Sequence, residues 1–282
     1  MSRLLRVLAS GVLLLALTAC AGEDDPAVTD LYSVTGEIGA VPVVHFDPPL
    51  PLSDPQIERV LEGDGTELDD DSTALLSIST FAGSDGSALG PLASPVIVEM
   101  SELDGLLAEA LPGAAEGSRF VAIQAVDDGY AGSMELVVID VVPTRYTGEP
   151  REIDFAEENL PTIGEDGDGA PTAEVNEGIS QPDLLRVVPI ARAEGPQVQP
   201  GDLVYAQFTI WTWAEGIVHY STWEDGGQPA ATIIDETFPG IRDGLLDQTV
   251  GSRVLILIPP DLGIGTDSLI AVVDILAVGR AE

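Results

Sequence analysis

The residues of this chain that could do chemistry are few, and most of them are apolar. His45 and His219 are its only histidines. They stand in different halves, so neither finds a second imidazole nearby to build a metal site, and His219 reads as a surface or pocket-edge residue. Asp166-Gly167-Asp168-Gly169 begins like a calcium loop, yet Ala170-Pro171 occupies the positions where ligands should continue. Asp69-Asp70-Asp71 and Glu23-Asp24-Asp25 read as solvated charge. No Ser-His-Asp set, phosphate loop or dinucleotide fingerprint occurs, so neither metal nor cofactor is expected. What remains is aromatic and apolar, without a proton relay. Trp211 and Trp213 share one strand face at period two, which leaves two readings open, an exposed stripe for a client chain or a pair of core residues.

Charge and the amino-terminal segment bound the setting. The chain has 48 acidic residues against 11 basic ones, all arginine, for a net charge of -37. That excludes a phosphate-tracking surface, and no nucleic acid partner is expected. Arg3 and Arg6 precede an apolar run from Val7 to Leu17, too short to span a bilayer but suited to a signal segment over residues 1–19. It ends in Leu17-Thr18-Ala19-Cys20, which resembles a bacterial lipobox. Cys20 is the sole cysteine, and lipidation there predicts a protein anchored to the outer face of the cell membrane. Residues 20–30 then form an acidic, flexible tether.

The elements that must position the aromatic set follow from an internal repeat. Gly117-Ser118-Arg119 recurs as Gly251-Ser252-Arg253 and Asp140 recurs as Asp274, both 134 positions on. A shared offset at two separated places implies two copies of one module, over 31–145 and 160–280, joined by a polar linker at 146–159. In the second copy, strands are predicted at Leu184–Ile190, Leu203–Trp213, Val218–Trp223, Ala231–Ile234, Arg253–Ile258 and Leu269–Ala277. Ile241, Leu245 and Leu246 give one short helix an apolar side, as Leu103, Leu106, Leu107 and Leu111 do in the first copy. The expected fold class is α+β: two tandem modules, each a twisted antiparallel sheet packed on one short helix.

Pro200-Gly201-Asp202-Leu203-Val204, Phe208-Thr209, Tyr220-Ser221-Thr222-Trp223, Phe238-Pro239-Gly240, Val250-Gly251-Ser252-Arg253, Ile258-Pro259-Pro260-Asp261-Leu262-Gly263-Ile264-Gly265 and Leu269 to Leu276 stand in an order that resembles the FKBP-type peptidyl-prolyl cis-trans isomerases. The resemblance covers Leu184 to Val278, and reaches Leu31 to Val142 only through the repeat. It implies a pocket in which the family's first-strand tyrosine falls on Phe208, its Phe-Asp pair on His219-Tyr220, its floor tryptophan on Ile241, its loop tyrosine on Ile264 and its last-strand phenylalanine on Ala271. Phe208, Tyr220 and Ile264 would then hold catalytic positions, with His219, Trp223, Phe238, Ile241 and Ala271 against the substrate. The polar handles of the family pattern are replaced by apolar groups. In the first copy the pocket aromatics are missing between Thr80 and Val98 apart from Phe81.

The resemblance implies an isomerase or folding helper for proline-containing, exported polypeptides. The rival reading is a non-catalytic module that holds such clients, or an envelope partner, in the same groove.

Overall fold

A computed structural model describes residues 31–126, 133–224 and 227–280. The signal, lipidation and tether expectations, Cys20 included, fall outside the described residues. Among the described residues no helix is long and apolar enough to cross a membrane.

The repeat seen in the sequence is a repeat of structure. In the first unit β1 (Tyr32–Thr35) and β2 (Val43–Phe46) form a hairpin, followed by β3 (Gln56–Leu61), β4 (Thr73–Ala82), β5 (Ser94–Glu99), helix α1 (Gly105–Ala110), β6 (Arg119–Ala125) and β7 (Met134–Val142). Strands β3, β6, β7, β4 and β5 lie in that order in one antiparallel sheet. The edge strand β8 (Glu149–Pro150) follows, then the hairpin β9 (Thr162–Glu165) and β10 (Pro171–Glu174), and next β11 (Arg186–Arg192), β12 (Asp202–Thr212), β13 (Val218–Ser221), β14 (Ala230–Ile233), α2 (Pro239–Leu245), β15 (Arg253–Ile258) and β16 (Leu269–Arg280). Here the sheet order is β13, β12, β16, β15, β11, β8, with β14 also on β12. The fold is α+β, two antiparallel sheets with one short helix each.

Each sheet is covered on both faces, a third layer that the sequence reading lacked. Alternation along the strands sends one set of side chains to the helix and the other to the hairpin. Leu76, Phe120, Ile139 and Leu111 pack on the helix side of the first sheet, while Tyr32, Phe81, Val121 and Leu136 pack under hairpin β1–β2. In the second unit Val204, Ile256, Ala271 and Leu245 face the helix, and Trp211, Trp213, Leu255 and Val272 face hairpin β9–β10. Trp211 and Trp213 are each 6% exposed, so they are core residues and no aromatic stripe faces solvent there. Phe81 likewise belongs to the hairpin-side core.

The repeated arginine and aspartate are the clasps of this third layer. Arg119 Nε and Nη2 donate to Asp140 at 2.6 and 2.8 Å, and Arg253 makes the same pair of bonds to Asp274 at 2.5 and 2.8 Å. All four residues are at most 3% exposed. The remaining guanidinium donors reach the hairpin turns: Arg119 to the carbonyls of Gly36 and Glu37, both at 3.0 Å, and Arg253 to the Glu165 carboxylate and the Gly169 carbonyl. Burial alone would weaken the charge on Arg253, but Asp274 and then Glu165 more than offset it and hold its pKa above the ordinary arginine value. The glycine before each Ser-Arg has a positive φ, 88° at Gly117 and 87° at Gly251, which is why the motif starts with glycine.

Segment 146–159, read as a linker, lies against the second unit. Glu149 and Pro150 pair with Arg192 and Ala191, Ile153 and Phe155 pack beside Leu160, and the Arg253 guanidinium sits 4.4 Å from the centre of the Tyr146 ring. The two units also touch directly. Tyr205 donates its hydroxyl to the Pro95 carbonyl at 2.8 Å, within a buried cluster of Leu75, Val142, Tyr205, Leu276 and Ala277.

Candidate functional site

β12 is the strand on which the pocket is built. One edge pairs with β16 along its whole length, with a bulge at Tyr205/Ala206. The other edge is shared: β14 takes Leu203–Ala206 and β13 takes Thr209–Trp211. Gln207 and Phe208 lie in the gap between them. Thr222 closes the backbone there, since Phe208 N–H donates to Thr222 Oγ1 at 2.8 Å and Thr222 N–H returns to the Phe208 carbonyl at 2.9 Å. On the hairpin-side face, Thr222 Oγ1 donates to Gln207 Oε1 at 2.5 Å and Gln207 Nε2 donates to the Gly227 carbonyl. The polar groups of this strand are therefore consumed on one face, and the helix-side face at Val204, Ala206, Phe208 and Ile210 is left apolar.

That face opens into a pocket of about 410 Å³. Phe208 and Tyr220 form one wall as a stacked pair, their ring centres 5.2 Å apart and planes 17° from parallel. Ile241 and Leu245 of α2 make the floor, Val273 of β16 the back, and Phe238 with Glu236 and Thr237 the opposite rim. Gly240 and Gly244 let α2 sit close enough to provide that floor: a Cβ at Gly244 would stand 2.8 Å from two carbons of Ile256.

Small residues are what keep the pocket open. The registers make Leu76 the counterpart of Ala206, Val96 of Ala230, Val98 of Thr232 and Ile78 of Phe208, because Ser77 faces Asp140 as Gln207 faces Asp274. In the first unit Leu76 and Val96 fill the equivalent space and join the helix-side core. In the second, Ala206 and Ala230 leave it empty.

Of the residues singled out in the sequence, Phe208, Tyr220, Phe238 and Ile241 come together around this pocket. The others stand elsewhere. Ala271 is fully buried in the core below it, and Val273, two residues on along the same strand face, lines the wall. Ile264 is 49% exposed in the loop between β15 and β16, and His219 is exposed on β13. Trp223 turns to a second cleft between the units, where the Arg145 guanidinium lies 5.8 Å from its ring centre. Sequence reasoning missed Ala206, Val204 and Leu245, although period two from Phe208 and helical spacing from Ile241 point to them. Among the described residues no group of three or more His, Cys, Asp or Glu is arranged to hold a metal. Among the described residues the lining carries two ionisable side chains, Tyr220 and Glu236. Chemically, the arrangement can desolvate an apolar group and stack against it.

Residues 195–273 match the family model of the FKBP-type peptidyl-prolyl cis-trans isomerases. No curated protein matches the chain. Among solved structures, FkpA from Escherichia coli is similar at 19% identity over 43% of this chain and 53% of that one, with a TM-score of 0.32, so the match spans about half of that relative. The three FKBP domains of wheat FKBP73 align at 15% identity over 80% of this chain and 95% of that one, with a TM-score of 0.31. A putative peptidyl-prolyl cis-trans isomerase, FKBP12, from Mycobacterium tuberculosis aligns at 25% identity over 35% of this chain and 86% of that one, with a TM-score of 0.29. The matched segment runs through the strands and helix that wall the pocket, and over those residues the second unit is similar to the FKBP-type peptidyl-prolyl cis-trans isomerases.

Proposed function

We propose that the second unit takes up proline-containing segments of exported polypeptides in its pocket and accelerates rotation about the Xaa-Pro bond, assisting their folding. The observation that carries this reading is an apolar pocket, open to solvent and walled by a stacked aromatic pair, inside the segment that matches the isomerase family. Rotation about the amide faces a barrier of about 18–20 kcal/mol because resonance keeps the bond flat. The twisted amide is less polar than the planar one, so a dry wall favours it over the ground state, and neither nucleophile nor metal is needed.

Lipid on Cys20 would hold the protein at the outer membrane face, beside newly exported chains. Support for that part is the sequence of residues 1–20 alone. Replacing Cys20 with serine should move the protein from the membrane to the soluble fraction, and retention in the membrane fraction would contradict it.

A second reading, a holder that binds without catalysis, draws on one observation. Thr237 spends its hydroxyl on the Ile234 carbonyl at 2.8 Å, leaving Tyr220 and Thr232 as the side-chain hydroxyls on the wall. NMR exchange between the cis and trans forms of a short Xaa-Pro peptide, with the full chain present, separates the two. Exchange faster than the uncatalysed rate identifies an isomerase. Broadened peptide resonances at an unchanged exchange rate identify a holder.

A further inference from the structure

The single carboxylate on the pocket wall points to the kind of client. Glu236 ends the 3-10 turn Ile234–Glu236 between β14 and α2, immediately before Thr237 and Phe238, and all three residues line the pocket. It is exposed, and no arginine lies within ion-pair distance of it among the described residues. The two arginines of the matched segment, Arg242 and Arg253, are committed elsewhere. Arg253 is buried on Asp274, and Arg242, the one on α2, bonds to Asp243 through Nε at 2.8 Å. Arg280 lies at the end of β16, paired in register with Asp202 rather than with the pocket strands' centre. No lysine occurs anywhere in the chain, and Asp235 adds a second carboxylate next to Glu236.

An apolar cavity whose one fixed charge among the described residues is a carboxylate with no ion-pair partner favours a ligand with an apolar body and a cation beside it. We infer that Glu236 is a specificity-determining residue that selects prolines flanked by lysine or arginine. The inference rests on the proline-binding reading of the pocket. A proline ring enters between Phe208, Tyr220, Phe238 and Ile241, while the neighbouring basic side chain keeps its head in solvent against Glu236. The long-range field of a chain with net charge -37 draws basic segments in, and Glu236 fixes where the cation settles.

The test is a titration of the full chain with three peptides, Ala-Xaa-Pro-Phe with Xaa lysine, alanine or glutamate, followed by chemical-shift changes of the protein. The expected order of affinity is lysine, alanine, glutamate, with about two- to fivefold between the first two, the range of an exposed ion pair. At ionic strength of about 1 M, where the Debye length is about 3 Å, the spread should close. Glu236→Gln should also close most of it, whereas Glu174→Gln, the same charge change on exposed β10, should leave it in place. Equal affinities at low salt, or a preference that survives Glu236→Gln, overturn the role of Glu236 and leave the proline pocket standing. Failure of all three peptides to bind overturns the pocket reading and this inference with it.

Discussion

Tyr32 puts its hydroxyl where nothing among the described residues accepts a hydrogen bond from it. Burial under hairpin β1–β2, with Glu58 nearby, pushes its pKa from 10.0 up to about 12. The sign follows from linkage. Below pH 10 the phenol is protonated in both states and its contribution is intact. Between pH 10 and about pH 12 the unfolded chain ionises first, and stability falls by up to about 1.4 kcal/mol per pH unit. Tyr32→Phe should remove that alkaline loss and stabilise the fold near neutral pH by about 1 kcal/mol, since a buried unpaired hydroxyl disappears. Thermal denaturation of both proteins at pH 8 and pH 11 checks it. At the site, Phe208→Ala should lower any isomerase acceleration about tenfold through loss of the stacked wall. Phe208, Tyr220, Phe238 and Ile241 were legible as neighbours because each is a large apolar or aromatic residue at a position marked by the family resemblance, and they meet around one pocket. Trp223 and Ala271 stand away from it, because the direction and depth of a side chain depend on strand register that composition does not encode.

Between elements, the clasp residues decide whether a hairpin stays on its sheet. Arg253→Leu leaves Asp274 buried without its cation and frees the turn at Glu165 and Gly169, which should cost about 3–5 kcal/mol. Hydrogen exchange should show β9–β10 losing protection first, and Arg119→Leu should do the same to β1–β2. Equal loss across the whole unit would mean the clasp serves the sheet instead. Helix α2 is seated by its glycines. Gly244→Ala forces a methyl against Ile256 and should destabilise by about 1–3 kcal/mol. The repeat made these pairings legible as sequence, since both Arg and Asp recur at one offset. The hairpin layer was not, because β1, β2, β9 and β10 are four residues each and show no period long enough to read.

On the scale of the whole molecule, two copies of one module have divided their roles by volume. Leu76 and Val96 close the first; Ala206 and Ala230 open the second. The closed copy still contributes, because Tyr205 reaches from the open unit to Pro95 and the joint cluster buries residues of β4 and β7 against residues of β12 and β16. Tyr205→Ala should therefore split a single calorimetric transition into two. One substitution isolates the pocket: Ala206→Leu restores the residue of the closed copy and should leave stability within about 1 kcal/mol of the parent. Measured by cis-trans exchange of an Xaa-Pro peptide with the full chain, the parent should accelerate exchange and Ala206→Leu should return it to the uncatalysed rate while remaining folded. Undiminished acceleration by a folded Ala206→Leu protein would contradict the claim that this pocket is where the chain meets proline.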